Sequence, residues 1–172
     1  MTPHAHPHAA GPVSAGVAVL TVSDTRTEES DRSGALARRL LAEAGHRVVD
    51  YRIVPDEPAA IVERVRGWLE REDCEVVVVN GGTGISPRDR TPEALAGLFD
   101  LRLEGFGELF RRLSYEEIGS AAMLSRAVAG IAAGRPLFSL PGSSAAVRLG
   151  LEKLILPELA HLLAELRRRG QV

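Results

Sequence analysis

The stretch that decides the fold of this chain reads Val76-Val-Val-Val-Asn80-Gly-Gly-Thr-Gly84-Ile-Ser-Pro-Arg88-Asp89-Arg-Thr91-Pro92. Its four consecutive valines are β-branched and apolar, which is typical of a short strand buried on both faces. The glycines that follow permit positive φ angles and let a ligand approach the backbone closely. Thr91 and Pro92 then predict a helix start, with threonine as the N-cap and proline in the first helical position. A central strand therefore ends in a glycine-rich loop, where ligands of open α/β sheets bind.

Two further strand–loop–helix units precede this stretch. Residues 17–22, which are apolar except for Thr21, predict the first buried strand. A helix predicted over residues 35–44 follows and is closed by Gly45. Residues 47–54 predict a second strand. Pro58 then predicts the first turn of another helix. Proline has no N–H, and an N–H in the first turn has no hydrogen-bond partner within the helix, so nothing is lost there.

The second half of the chain continues the pattern and adds one variation. A helix is predicted from Pro92 to about Phe99, and a second one begins near residues 105–108. The apolar runs 127–131 and 137–140 are separated by a turn-like break and predict a tight antiparallel pair. A last helix begins at residues 141–143. We therefore expect an α/β fold over residues 15–172, with three α/β/α layers, a mainly parallel central sheet and an antiparallel edge pair.

Residues 1–14 differ in composition from the rest of the chain. Three of the five histidines, His4, His6 and His8, lie here among prolines and alanines. Such spacing can bind a metal adventitiously, but it supplies no packed frame. We interpret this segment as a disordered N-terminal tail.

Composition excludes several classes of protein. The formal net charge is −2 over 172 residues, whereas a nucleic-acid-binding protein usually carries an excess of basic residues. Cys74 is the only cysteine, which excludes a disulfide framework and a cysteine zinc cluster. No apolar run approaches the roughly 18–20 residues that span a membrane. We expect a cytoplasmic protein with neither nucleic-acid nor membrane partners.

The carboxyl ends of the three predicted parallel strands carry acidic and hydroxyl groups. Ser23 and Asp24 follow the first strand, Asp56 follows the second, and the glycine loop with Asp89 follows the third. Several carboxylates beside backbone amides and arginines suit a magnesium–nucleotide site, because Mg²⁺ prefers carboxylate and phosphate oxygens. Taken singly, Asp56 could instead cap the helix at Pro58, and Asp89 could pair with its flanking arginines or with helix amides.

A second loop, Pro141-Gly142-Ser143, also lies between a strand and a helix. Free amides and the helix dipole can hold an anion there. A simple helix N-cap by Ser143 is an equally good interpretation.

Several short motifs resemble, in order, those of one known family. They are Leu20-Thr-Val-Ser-Asp24, Asp31-x-Ser-Gly34, Pro55-Asp56-Glu57, Gly81-Gly-Thr-Gly84, Arg88-Asp89-x-Thr91-Pro92-Glu93, Gly105-Phe-Gly-Glu108, Leu124-Ser-Arg126 and Leu140-Pro-Gly142. The ordered set is similar to the molybdenum cofactor biosynthesis family that includes the bacterial MoaB and MogA proteins. The similarity covers residues 15 to 165, and residues 104–130 are more similar to MoaB than to MogA.

The resemblance implies a molybdopterin-binding domain that assembles as a trimer or a hexamer. Its catalytic members are adenylyltransferases, which transfer AMP from Mg-ATP to the terminal phosphate of molybdopterin. On this basis Asp56 and Asp89 match the family's catalytic and magnesium-holding acidic pair. The matched binding positions are Gly81, Gly82, Thr83 and Gly84 in the pterin-phosphate loop, Ser23, Asp24, Ser33 and Gly34 elsewhere in the pocket, and Pro141, Gly142 and Ser143 in the second loop.

Two functions remain open at this point. MogA-type members continue the Leu-Pro-Gly turn with a proline and a lysine, whereas this chain continues with Ser143, Ser144 and Ala145. The chain is therefore either an adenylyltransferase or a non-catalytic molybdopterin-binding scaffold of the same pathway. Adenylyl transfer needs positioning and charge neutralisation more than a strong base, because the attacking phosphate is already an anion.

Overall fold

The computed structural model describes residues 13–169 of the chain. Its strands are β1 (Gly16–Val22), β2 (Arg47–Val54), β3 (Val76–Asn80), β4 (Leu101–Arg102), β5 (Val128–Ala132) and β6 (Arg135–Leu140). Its helices are α1 (Arg32–Glu43), α2 (Pro58–Leu69), α3 (Thr91–Ala96), α4 (Glu104–Ile118), α5 (Ser144–Gly150) and α6 (Leu156–Arg169), with a 3₁₀ helix at Gly119–Leu124 and a π-helical stretch at Leu151–Ile155.

The described strands form one six-stranded sheet in the order β2-β1-β3-β6-β5-β4. The first four of these strands are parallel to one another, and β5 is antiparallel to both β6 and β4. Helices cover both faces: α1, α4, α5 and α6 pack on one side, and α2 and α3 on the other. The predicted three-layer α/β/α fold is confirmed.

The valine strand β3 lies in the middle of the sheet, as its sequence predicts. It pairs with β1 on one side and β6 on the other, and all four valines are fully buried. Val76 and Val78 face the layer that holds α1, whereas Val77 and Val79 face the layer that holds α2. Because both faces are covered, the strand has no polar alternation.

The predicted antiparallel pair forms, but it is not the edge of the sheet. β5 and β6 are joined by a tight turn in which Ala133 and Gly134 both have positive φ, at 49° and 73°. The edge strand at this end of the sheet is the short β4, which the sequence did not predict. Two residues are too few to show a periodic pattern.

Two predicted helix starts are misplaced. α1 begins at Arg32 rather than Ala35, because the Asp31 side chain accepts a hydrogen bond from the Gly34 N–H and caps the helix. Thr91 is not an N-cap: Arg90 holds that position, and Thr91 is the first helical residue. α3 also ends at Ala96, before the predicted Phe99.

The last helix is not a regular α-helix. α5, the π-helical stretch Leu151–Ile155 and α6 follow one another without a break. A π turn shifts the phase of the side chains that follow it. Leu149 before the stretch and Leu159 after it are both buried.

The predicted tail at residues 1–14 lies outside the described part of the chain, except for Val13 and Ser14, which belong to neither a helix nor a strand. Within residues 13–169, none of the helices combines the length and the apolar character needed to cross a membrane.

Candidate functional site

A cavity of about 530 Å³ opens at the carboxyl ends of the parallel strands. Loops that follow β1, β3 and β6 form its polar side, and we call it the glycine-loop cavity. Most of the predicted site residues line it: Ser23, Gly81, Gly82, Thr83, Gly84, Asp89, Pro141, Gly142 and Ser143. The two loops that were identified separately in the sequence therefore share one cavity.

The opposite side of the glycine-loop cavity is apolar. It is supplied by α4 and the 3₁₀ helix, through Phe110, Ile118, Ala121 and Leu124, with Ser114 as a polar neighbour. Sequence analysis did not assign these residues to the site, because they follow no strand end. The cavity thus offers one polar and one apolar wall, which suits a ligand with an anionic end and a less polar body.

Glycine is required at two positions of the loop after β3. Gly81 and Gly82 have φ angles of 101° and 64°. A Cβ on Gly81 would lie 2.2 Å from the carbonyl oxygen of Val22, and a Cβ on Gly82 would lie 2.1 Å from Thr91 Oγ1. Any other residue would clash as well as strain the backbone, so the loop geometry depends on both glycines.

Asp56 lies on the far side of Gly82 and is not among the described residues that line the cavity. A Cβ built on Gly82 would come within 3.1 Å of both Asp56 carboxylate oxygens. Asp56 is only 8% exposed, and the backbone N–H of Arg90 approaches its Oδ1 at 3.5 Å. It does not cap α2, whose N-cap is Glu57 without a side-chain hydrogen bond. The helix-cap interpretation of Asp56 is therefore wrong.

The electrostatic environment of Asp56 disfavours its negative charge. Burial raises the pKa of its carboxyl, and the charges of Asp89 and Asp24 raise that pKa further. A desolvated carboxylate next to like charges gains by binding a cation.

Asp89 is held by its own loop rather than by the arginines beside it. Its Oδ2 accepts a hydrogen bond from the Ser86 N–H at 2.9 Å, and a Cβ on Gly84 would lie 2.8 Å from the same oxygen. Neither flanking arginine pairs with it in the described residues. Arg88 instead binds Asp24 through Nη2 at 2.9 Å and Glu57 through Nη1 at 2.9 Å. Asp24 also accepts the Asp56 N–H at 3.0 Å, so it connects two strand ends.

Arg126 fastens the loop that carries Asp89, and sequence analysis missed this role. Its Nε donates to the Gly84 carbonyl at 2.9 Å and to the Thr83 carbonyl at 3.3 Å. Its Nη2 donates to the Asp89 carbonyl, and its Nη1 pairs with Glu93. One guanidinium therefore holds three loop carbonyls. The sequence signal was the Leu124-Ser-Arg126 motif, which came only from the family resemblance.

A buried polar network lies beneath the cavity. Asp31 is 1% exposed and accepts hydrogen bonds from Tyr51 Oη at 2.6 Å and the Gly34 N–H at 3.0 Å. Ser33 donates to Asn80 Oδ1 at 2.8 Å, which connects α1 to the end of β3. The predicted binding residues Ser33 and Gly34 therefore lie behind the cavity wall, not on its surface.

The loop after β6 contacts the loop after β3 directly. The Gly81 N–H donates to the Leu140 carbonyl at 3.0 Å, and a Cβ on Gly142 would lie 3.1 Å from Gly81 Cα. Ser143 is the N-cap of α5, and its Oγ accepts the Ala146 N–H at 3.1 Å. The N-cap interpretation is confirmed, and anion binding by this loop stays a prediction.

The donor set near Gly82 fits a hard cation that a substrate also coordinates. Among residues 13–169, no group of three or more His, Cys, Asp or Glu side chains is arranged to hold a metal by itself. Asp56 and Asp89 offer two carboxylates, and the nearby Thr91 Oγ1 is buried without a hydrogen-bond partner. Mg²⁺ typically combines one or two carboxylates with substrate phosphates and water, so the residues present fit it.

Comparison with known families gives a match over residues 18–161 to the family described as a probable molybdopterin binding domain. Molybdenum cofactor biosynthesis protein B of Bacillus cereus is 55% identical over 152 residues, which covers 88% of this chain and 90% of the relative. The Bacillus subtilis protein of the same name is 53% identical, and the alignment covers 87% of this chain and 89% of the relative.

Solved structures give the same relationship. A crystal structure of molybdenum cofactor biosynthesis protein B superposes with a TM-score of 0.90 at 53% identity, over 92% of this chain and 99% of that chain. The tungsten cofactor synthesizing protein MoaB from Pyrococcus furiosus has a TM-score of 0.77 at 42% identity, over 91% and 99% of the two chains. The Mog protein from Mycobacterium ulcerans has a TM-score of 0.80 at 28% identity, over 91% and 99%.

Proposed function

The chain belongs to the molybdopterin-binding family of molybdenum cofactor biosynthesis proteins, and from that premise we propose that it binds molybdopterin and transfers AMP to it from Mg-ATP. The observation that carries the proposal is the two-sided glycine-loop cavity. Its polar wall offers loop backbone and hydroxyl groups to a phosphate, and its apolar wall offers Phe110 and Leu124 to a flat ring system. Molybdopterin has both parts, a terminal phosphate and a fused pterin ring.

Each part of the site has a separate task in this reaction. The glycine loop and Ser143 orient the terminal phosphate of molybdopterin. Asp56 and Asp89 would hold Mg²⁺, which neutralises charge on the triphosphate when it is bound. A phosphate oxygen of molybdopterin attacks the α-phosphorus of ATP, the bond from the α-phosphorus to the bridging oxygen breaks, and pyrophosphate leaves. Because the attacking oxygen is already an anion, the chain needs to orient it rather than deprotonate it.

The test is adenylyl transfer by purified protein, with Asp56→Asn and Asp89→Asn as variants. Each variant keeps the side-chain shape and removes one negative charge. We expect formation of adenylylated molybdopterin and pyrophosphate to fall on the order of a hundredfold or more, the effect of losing one preorganised electrostatic contact. Molybdopterin affinity should change little, because the glycine loop holds the phosphate.

Asp73→Asn is the matched control. Asp73 is exposed and pairs with Arg71, and it contributes nothing to the cavity lining. Its transfer rate should stay within about twofold of the wild-type rate, since exposed ion pairs contribute little. If both site variants transfer AMP at the wild-type rate, the two aspartates do not hold a catalytic Mg²⁺.

A non-catalytic molybdopterin-binding scaffold is the second candidate. The observation in its favour is that Ser143, Ser144 and Ala145 follow the Leu-Pro-Gly turn, and that no lysine lines the described glycine-loop cavity. Wild-type protein that binds molybdopterin but releases no pyrophosphate from Mg-ATP would identify the scaffold. Failure to bind molybdopterin at all would contradict both candidates.

We also propose that the chain assembles as a homo-oligomer, a trimer or a hexamer. Five large apolar side chains between residues 109 and 124 are exposed: Leu109, Tyr115, Ile118, Met123 and Leu124. Such a concentration is typical of a protein–protein interface.

A further inference from the structure

The side chain of Arg26 connects three parts of the site. It follows β1, and its Nη2 donates to the Gly142 carbonyl at 2.9 Å, across 116 residues of sequence. Its Nη1 donates to Ser33 Oγ at 2.6 Å and to Asp31 Oδ1 at 3.3 Å. Arg26 therefore joins the loop after β1 to the loop after β6 and to the buried network below both.

Arg26 is held in place by a buried carboxylate. The Asp31 side chain is fully buried, whereas the Arg26 side chain is 33% exposed. Burial alone would raise the pKa of Asp31, but hydrogen bonds from Thr21, Tyr51, Gly34 and Ser33 outweigh it and hold that pKa below its ordinary value. Asp31 consequently stays ionised at neutral pH, and it fixes the guanidinium before any ligand arrives.

Part of the guanidinium remains available to a ligand. An arginine side chain carries five N–H donors, and the contacts described above use three of them. Arg26 is among the residues that line the glycine-loop cavity. The remaining donors are on Nε and Nη2.

The charged side chains in the cavity wall show which residue can attract an anion. Among the described residues that line the glycine-loop cavity, Arg26 is the one cationic side chain and Asp89 the one anionic side chain. Two nearby arginines are occupied elsewhere: Arg88 pairs with Asp24 and Glu57, and Arg126 binds the loop carbonyls and Glu93. Arg90 is exposed at the start of α3 and is not among the described residues that line the cavity. An anion that enters the cavity therefore has Arg26 as its source of positive charge.

We propose that Arg26 binds the phosphate group of the ligand in the glycine-loop cavity, and that Asp31 is the residue that positions it. The inference deepens the proposed function and rests on it for the identity of the ligand. The predicted chemistry does not depend on that identity. The site binds an oxygen of a phosphate monoester or diester, with Arg26 as a charge-assisted hydrogen-bond donor and the glycine loop beside it.

The first experiment uses inorganic phosphate as the probe. Binding is followed through the amide resonances of residues 81–84, in wild type, Arg26→Gln, Arg26→Lys and Arg39→Gln. We expect Arg26→Gln to raise the dissociation constant about tenfold or more, since it removes a charged hydrogen-bond donor. Arg26→Lys keeps the charge but loses the planar fork, so its affinity should be intermediate.

Arg39→Gln is the matched control, because Arg39 lies exposed on α1 and pairs with Glu43. Its dissociation constant should stay within twofold of the wild-type value. An Arg26→Gln variant within twofold of wild type would overturn the proposal. So would a wild-type protein in which phosphate produces no saturable shift at residues 81–84.

A second measurement separates ligand binding from a purely structural role of Arg26. Phosphate affinity is measured against salt concentration, together with the thermal midpoint without ligand. Direct binding predicts a shallower salt dependence in Arg26→Gln than in wild type, because one ionic contact is lost. A structural role predicts a lowered midpoint and an unchanged salt dependence, and that result would contradict the proposal.

Separate titrations with molybdopterin and with Mg-ATP identify the source of the phosphate. If Arg26 serves molybdopterin, Arg26→Gln weakens molybdopterin binding about tenfold and leaves Mg-ATP binding within twofold. The reverse pattern assigns Arg26 to the nucleotide. Wild-type protein that binds phosphate through Arg26 but neither substrate would refute the proposed function and retain the anion site.

Discussion

Three aspartates lie close together at one edge of the sheet, and each has a different environment. Asp24 is exposed, and the hydrogen bond from the Asp56 N–H lowers its pKa, as does its pairing with Arg88. Asp89 is fixed by the Ser86 N–H of its own loop. Asp56 is buried without a pairing cation in the described residues, and its pKa is raised. Of the three, Asp56 is the carboxylate that the fold destabilises and that a cation would stabilise.

Replacing Asp56 with asparagine should therefore stabilise the ligand-free protein at neutral pH. A carboxyl group whose pKa is raised on folding binds more protons in the folded state, so it lowers stability as pH rises through its folded pKa. We expect the thermal midpoint of Asp56→Asn to exceed that of wild type by roughly 2 °C at pH 7. The difference should shrink as the pH is lowered through the raised pKa of Asp56, because the carboxyl group becomes protonated there.

Asp24→Asn is the contrasting variant, because the pKa of Asp24 is shifted in the opposite direction. It should give no gain in thermal midpoint at pH 7. Calorimetry of both variants across pH 4 to 8 is the measurement. An Asp56→Asn variant with a lower midpoint than wild type at pH 7 would show that its carboxylate stabilises the fold.

Sequence analysis found the residues that follow strands and missed those that act across the chain. The positions of Ser23, Gly81 and Asp89 in one cavity follow from the parallel arrangement alone. Arg26 and Arg126 make their decisive contacts 116 and 42 residues away. No local pattern encodes a partner at that distance, and an arginine on its own is most often a surface residue.

At the scale of elements, the loop between β3 and α3 depends on Arg126. The loop has positive φ at Gly81 and Gly82 and carries Asp89. Arg126 comes from a different part of the chain and holds three of its carbonyls. Without Arg126, those carbonyls would turn to water, and the loop would lose its orientation toward the cavity.

We expect Arg126→Ala to increase amide hydrogen exchange in residues 83–90 by tenfold or more, with little change in β3. Local opening of a loop becomes easier when its fixed contacts are removed, whereas core strands open only with global unfolding. Arg168→Ala is the matched control, because Arg168 is exposed and pairs only with Glu165 in the described contacts. Equal exchange of residues 83–90 in Arg126→Ala and wild type would show that the loop holds its shape unaided.

The elements themselves were largely predictable, and their boundaries less so. Predominantly apolar runs predicted β1 and β3, and the proline at position 58 predicted the start of α2. Threonine before proline is a common helix N-cap, and the sequence therefore predicts that role for Thr91. Tertiary contacts decided otherwise: the Thr91 N–H donates to the Gly82 carbonyl, and its side chain is buried beside Gly82.

At the scale of the whole molecule, the apolar surface between residues 109 and 124 predicts assembly. Light scattering at micromolar concentration should give a mass three or six times 18.4 kDa. The double variant Tyr115→Glu/Met123→Glu places two charges on residues that are 63% and 77% exposed, so it should shift the protein to smaller species without unfolding it.

Ala59→Glu is the control for this prediction. Ala59 is exposed on α2, in the opposite layer of the fold, and its substitution should leave the mass unchanged. A wild-type mass of 18.4 kDa at micromolar concentration would exclude the oligomer.

The strand order has a consequence for synthesis of the chain. β3 and β6 are neighbours in the sheet, but 54 residues separate the end of β3 at Asn80 from the start of β6 at Arg135. Until β6 leaves the ribosome, the nascent sheet ends in an uncovered strand of four valines, the kind of edge that recruits other chains. The loop Pro141–Ser143 is synthesised later still, so the binding cavity is complete only when most of the chain exists. A chain cut before residue 135 would present that valine edge permanently and would aggregate rather than retain a partial site.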